Sequence, residues 1–182
     1  MDICEIVDDT VATWQQVQPG TSFAAMGTML KMNALAQRAT AQIETMAQSY
    51  GITTGEFDVL ATLRRHGDQA SLTPSFIAGV ALVSPSGLTH RLTQLEKAGH
   101  IIRTPDPNDR RSFLISITDS GSAIADEIVQ YIAQISDAIV QCMPATQQSD
   151  FVADLEQCIA TVTEMNHSAQ PSKALISSIS AS

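Results

Sequence analysis

Arg110 and Arg111 follow the run Pro105-Asp106-Pro107-Asn108-Asp109, which can hardly be anything but a turn. Two guanidiniums on a projecting turn suit a phosphate backbone, or a narrow groove where negative potential concentrates. The carboxylate of Asp109 beside them can hold a guanidinium in a fixed pose. Upstream lies a second polar group: Ser84, Ser86, Gly87, Thr89, His90, Arg91, Thr93 and Gln94, with no acid before Glu96. Side chains of these types hydrogen-bond base edges and phosphates, and the small Ser86 and Gly87 would let a helix N-terminus approach a phosphate. A solvated helix face is polar too, so this pattern takes its meaning from context. Charge supplies some. The formal net charge is −9, yet seven basic and four acidic residues lie between Arg64 and Arg111, leaving three basic and fifteen acidic residues elsewhere. Phosphate binding follows the local field rather than the total.

Catalytic groupings are missing. His66, His90, His100 and His167 have no metal-ligand spacing, and there is no glycine-rich phosphate loop or nucleophile elbow, so no enzyme activity and no cofactor is expected. Cys4, Cys142 and Cys158 are odd in number, far apart and form no CxxC pair, which favours reduced thiols. With 44% hydrophobic and 16% charged residues the chain is of the globular class. No apolar run approaches the ~20 residues of a membrane span, and the start Met1-Asp2-Ile3-Cys4-Glu5 lacks the basic, then apolar, texture of a secretory signal. A cytoplasmic protein with no membrane partner is expected.

The elements that must position these residues are mostly helical. Ile3 to Val17 reads as a helix ended by Pro19-Gly20, and Ser22 to Tyr50 as a long one with Phe23, Met26, Leu30, Leu35, Ala39, Ile43 and Met46 near helical spacing. Thr54 is expected to cap a helix to about His66, with Phe57, Leu60 and Leu63 on one face. Thr73-Pro74 and Ser84-Pro85 each read as a cap followed by proline at the first helical position. The second of these opens a helix to Ala98 with Leu88, Leu92 and Leu95 turned inward, closing at Gly99. His100 to Thr104 and the alternating Phe113, Ile115 and Ile117 are strands about the turn, a β-wing directly after a helix-turn-helix. Thr118 caps a helix carrying Ile124, Ile128, Ile132, Ile135 and Ile139 to about Cys142, Pro144 breaks it, and a last helix spans roughly Gln147 to Met165.

The run Asp109-Arg110-Arg111-Ser112-Phe113-Leu114-Ile115-Ser116-Ile117-Thr118-Asp119-Ser120-Gly121 resembles the wing signature of the MarR family: Asp-x-Arg, an aliphatic four residues after the Arg, then Leu-Thr-x-x-Gly, with Ile117 in place of the Leu. The similarity continues upstream through Leu92-Thr93-Gln94-Leu95-Glu96-Lys97-Ala98-Gly99-His100-Ile101 and covers about Thr54 to Gly121. Phe76-Ile77-Ala78 departs from it, since relatives usually carry an acid and Leu-Ala there. The resemblance implies a winged helix-turn-helix fold, mostly α with a small β-wing, in an obligate homodimer with intertwined N- and C-terminal helices. It further implies binding to double-stranded promoter DNA at a pseudo-palindromic operator, most simply as a repressor. Residues 1–50 would form an added helix and a dimerisation helix, 51–120 the DNA-binding domain, 121–166 the C-terminal dimerisation helices and 167–182 a disordered tail.

A narrower likeness joins Thr13-Trp14-Gln15, Gly55-Glu56-Phe57-Asp58-Val59-Leu60 and Leu63-Arg64-Arg65 to the urate-responsive, PecS-like branch of that family. Trp14, Asp58, Arg91 and Arg103 occupy the matching positions, although the connection after Trp14 is shorter. What this implies is a small anionic or aromatic effector, urate-like or an aromatic acid, contacted by Trp14 and Arg103 and reported to the DNA-reading helix through Asp58 and Arg91. The alternative is an oxidant-sensing regulator acting through cysteine; against it, Asp2 and Glu5 beside Cys4 work against the negative thiolate such chemistry needs.

Overall fold

The computed structural model describes residues 2–67, 70–81, 87–107, 109 and 112–168. Seven helices and two strands are built from them: α1 (Ile3–Val17), α2 (Ala24–Ser49), α3 (Thr54–Arg65), α4 (Pro74–Val80), α5 (Leu88–Lys97), β1 (Ile101–Pro105), β2 (Phe113–Ile117), α6 (Asp119–Gln141) and α7 (Ala145–Ser168). The chain divides into two compact units, residues 1–135 and 136–182. Ser84, Ser86, Arg110, Arg111 and residues 169–182 of the expected 167–182 tail lie outside the described residues, as does the Ser84-Pro85 cap.

Local chemistry explains the helix starts. Asp2 caps α1, its carboxylate accepting from the Ile3 N–H at 2.7 Å while Glu5 reaches back to the Asp2 N–H at 2.9 Å. The cap of α3 is Thr53, not Thr54: its hydroxyl accepts from the Glu56 N–H at 3.2 Å, and Glu56 returns to the Thr53 N–H at 2.8 Å. Only Thr53 stands three residues before a glutamate, and that spacing closes the reciprocal pair. Thr73 and Pro74 open α4 as the sequence implies. Helix α5 begins at Leu88, later than expected, because Gly87 sits at φ +81°, a left-handed conformation that cannot belong to the helix and that glycine adopts without strain. Gly99, at φ +78°, turns the chain out of α5 into β1. The last helix starts at Ala145, directly after Pro144, and runs through Ser168.

The core lies in the first unit. Leu60, Leu63, Ile77, Leu95, Ile115 and Ile128 are almost wholly buried, so α3, α4, α5, β2 and α6 share one apolar centre. A side chain of this size contributes about 1.5–3 kcal/mol on full burial. Strands β1 and β2 are antiparallel, with Ile101 opposite Ile117 and Arg103 opposite Ile115. Leu72 adds a further bridge, exchanging both backbone hydrogen bonds with Ile115 at 2.8 and 2.9 Å, and so fastens the segment before α4 to the wing's inner strand. Of the wing's three alternating residues, Ile115 and Ile117 are buried while Phe113 is exposed. Phe76, the departure in α4, lies half-exposed with its ring edge-on to His66 at 5.3 Å, while Ile77 beside it supplies the buried contact.

Helix α2 is 26 residues long, yet only Gly27 and Ala47 on it are buried. Gly27 lets α1 come close, since a Cβ there would stand 3.0 Å from Val11, and Lys31 pairs with Asp8 of α1 at 2.8 Å. That carboxylate raises the Lys31 pKa. Two further links reach α6. Arg64 holds Asp126 through Nε and Nη2 at 2.8 and 2.9 Å, and the Tyr50 hydroxyl donates to Glu127. In the second unit, Gln148 of α7 donates to the carbonyls of Met143 and Val140, capping the chain as it leaves α6. Among the described residues no helix is long and apolar enough to cross a membrane.

Candidate nucleic-acid interface

Leu92 and Leu95 bury one side of α5, and Thr89, His90, Thr93 and Gln94 are exposed on the remainder. Four polar residues without a carboxylate among them thus line an open helix surface, beginning at the exposed Gly87. Thr93 is less available than its exposure suggests. Its hydroxyl donates to the Thr89 carbonyl at 2.9 Å and accepts from Arg103 Nη2 at 3.1 Å. Asp109 is exposed, and its carbonyl accepts from the Ser112 N–H at 2.9 Å, closing the turn between β1 and β2.

Arg91 does not stand out with that group. It is half-buried, and its guanidinium lies on the first turn of α3, where a Cβ added to Gly55 would meet Nε at 2.5 Å. Asp58 is 7% exposed and follows Gly55 by three residues, so both occupy the face of α3 that α5 approaches. Arg91 and Asp58 therefore come to one helix pair, whereas Arg91 and the exposed polar face diverge. Arg103, paired across the strands with Ile115, sends its guanidinium to α5, with Nε 2.9 Å from Glu96 Oε2 and Nη2 on Thr93. Neither the glutamate nor the threonine was marked as a partner by sequence, though both lie on the stretch Leu92-Thr93-Gln94-Leu95-Glu96 already singled out. Trp14 belongs to a different neighbourhood: it is 44% exposed on α1, with its ring 6.0 Å from that of Phe23.

A separate cavity of about 180 Å³ lies between α1 and α2, lined by Ile3, Cys4, Val7, Lys31, Ala34, Leu35 and Arg38. It brings Lys31 and Arg38 to Cys4, beside which the sequence shows only the acidic Asp2 and Glu5. The cations come from α2, some thirty residues away in sequence, and counting only flanking residues misses them. All three cysteines are exposed in the single chain. Among the described residues no three His, Cys, Asp or Glu side chains gather as a metal site would require.

Residues 52–113 match the sequence profile of the MarR family. The HTH-type transcriptional regulator PecS of Dickeya dadantii is 36% identical over 127 residues, which cover 68% of this chain and 75% of that protein. The chain belongs to the MarR family. Its relatives are transcription regulators and not enzymes; the multiple antibiotic resistance protein MarR of Escherichia coli is 32% identical over 61% of this chain and 73% of its own. Among solved structures, a mutant E. coli MarR complexed with operator DNA superimposes with a TM-score of 0.58 at 27% identity, over 82% of this chain and 96% of that one. A MarR-like regulator from Bacillus cereus agrees in fold with a TM-score of 0.65 at 14% identity, over 77% and 99%. This MarR-type winged helix puts α4 and α5 in the positions of the helix-turn-helix and β1–β2 in that of the wing.

Proposed function

We propose that this chain is a ligand-responsive repressor that binds a pseudo-palindromic promoter site as a homodimer and is released by a small anionic ligand, urate-like or an aromatic acid. The observation that carries the reading is the exposed run of Gly87, Thr89, His90 and Gln94 at the start of α5, ahead of its one carboxylate at Glu96, in a chain whose E. coli relative was solved on operator DNA. Ser84, Ser86, Arg110 and Arg111 extend that surface in sequence, and Arg110 and Arg111 bring cations to phosphates that the acidic remainder would repel. Arg91 serves as the tie between α3 and α5, with Asp58 beside it. In the effector site Arg103 meets the ligand's negative charge and Trp14 offers a flat wall; the added helix carrying Trp14 reaches that site within the dimer. Residues 1–50 and 121–166 pair the two copies, and 51–120 read DNA.

The decisive experiment is a gel-shift titration against DNA upstream of the protein's own gene, repeated with urate and with aromatic acids. Retardation at low protein concentration, reversed by one of these anions, is the expected result. Indifference to every duplex at low ionic strength would end the reading. The oxidant-sensing alternative rests on Cys4, which lines a cavity with Lys31 and Arg38. A protein with all three cysteines changed to serine that still loses DNA on peroxide treatment excludes it.

A further inference from the structure

We infer that Glu96 is the gate of the effector site: the carboxylate an incoming anion must displace from Arg103, and whose displacement unfastens α5 from the wing. This rests on the reading of Arg103 as the ligand's cation. The guanidinium faces one helix with two of its nitrogens: Nε is 2.9 Å from Glu96 Oε2 as an ion pair, and Nη2 donates to the Thr93 hydroxyl at 3.1 Å. Thr93 and Glu96 are three residues apart on α5 and so present both groups from one face. Arg103 itself is fixed in β1 by its pairing with Ile115 of β2. One side chain thereby fastens the helix carrying Thr89, His90 and Gln94 to the strand leading into the turn with Arg110 and Arg111.

Geometry makes this fastening and anion binding compete. A carboxylate or a urate-like anion is held most tightly by two parallel N–H groups of a guanidinium. The edge that offers Nε and Nη2 is the one already facing α5: Nη2 donates to Thr93, and the Glu96 carboxylate stands 2.9 Å from Nε, whose buried N–H makes no hydrogen bond among the described residues. Bringing a second negative charge to the same cation also sets it against Glu96, whose side chain is 44% exposed and can swing into water, while that of Arg103, 23% exposed, stays on its strand. The ligand exchanges one anion for another on Arg103, and Thr93 loses its donor in the same event. No bond is made or broken covalently. What changes is the tie between recognition helix and wing, and with it the spacing of the two DNA-facing groups. Thr93 is on this account a positioning residue and not a base contact.

The test compares wild type, Glu96→Gln and Arg103→Ala on promoter DNA, with urate and benzoate as probes, and measures direct probe binding to each protein by calorimetry. Glu96→Gln keeps shape and a hydrogen-bonding oxygen but removes the competing charge. It should bind the effective probe more tightly and release DNA at a concentration lower by about fivefold, the size of an exposed ion pair. Arg103→Ala should bind neither probe and, lacking the tie to α5, should hold DNA more weakly than wild type, with no further loss when either probe is added. If Arg103→Ala is insensitive while Glu96→Gln matches wild type in both assays, the gate is wrong and the effector site stands. If Arg103→Ala responds like wild type, or wild type ignores both probes, the site itself is wrong and the gate falls with it.

Discussion

Gly55 and Gly121 are both crowded glycines, but what crowds them differs. A methyl group at Gly55 would press on the guanidinium of Arg91, the far end of a flexible side chain; at Gly121 it would overlap the backbone carbonyl of His100 and the side chain of Ile117. The first can move and the second cannot. Gly55→Ala should therefore leave thermal stability within about 1 kcal/mol of wild type, as the alanine also favours the helix by about that much. It should nonetheless weaken promoter binding severalfold in fluorescence anisotropy, because Arg91 no longer seats on α3. Gly121→Ala should destabilise the protein by about 1–3 kcal/mol in urea denaturation, the cost of overpacking, and lower DNA binding only in proportion to the folded fraction. Sequence marked Gly121 as part of the wing signature without giving its reason, which is the contact of the first turn of α6 with the chain leaving α5. For Gly55 no local signal exists, since Arg91 is thirty-six residues away.

Element order and type were legible because the signals are local: apolar residues at helical spacing, threonine before proline, a proline-aspartate run between alternating strands. The misplacements have local causes as well. Thr54 was favoured over Thr53 though only the latter completes a capping box, and Gly87 looked helical though its positive φ delays α5. The Leu72 bridge left no trace in sequence, because a single residue has no periodicity. Two predictions belong at this scale. Arg111→Ala should weaken promoter binding across all sequences and reduce the salt slope by about one, as removal of a phosphate cation does; an unchanged slope would argue against the wing. The link of α3 to α6 through Arg64 and Asp126 should be visible in acid. The hydrogen bonds from Arg64 hold the Asp126 carboxyl below its ordinary value. Its contribution is thus present above the unfolded carboxylate value and disappears as pH falls through the lower, folded one. Asp126→Asn should be less stable than wild type near neutrality, with the gap narrowing as both are acidified below pH ~4. A constant gap would show that the ion pair adds nothing.

At the scale of the whole molecule, a single chain leaves too much apolar surface in the open. Met29 and Leu35 on α2, Val129 on α6, and Val152, Ile159, Val162 and Met165 on α7 are all about half-exposed or more. Scattered residues of this kind are ordinary, but here they recur along the helices at both ends of the chain, outside the core that α3, α4, α5, β2 and α6 share. The proposed second copy laid against them would account for helices longer than one winged domain needs, and a two-fold pair would place half-site centres about 10 base pairs apart. Sequence showed the apolar spacing on these helices but not what it faces; under the proposed dimer it faces a second copy, and Ile159 and Val162 on α7 are exposed. Their exposure supplies the test. In an isolated chain Ile159→Glu with Val162→Glu costs little, because both side chains already meet water, at 67% and 51% exposure. In a dimer seated on α7 the same pair buries two charges per copy against an apolar face. Sedimentation velocity should show wild type as a dimer at micromolar concentration and the double variant as a helical monomer with promoter affinity lost by orders of magnitude. A double variant that still sediments as a dimer would mean the copies do not meet on α7, and a wild type that sediments as a monomer would remove the two-fold reading of the operator.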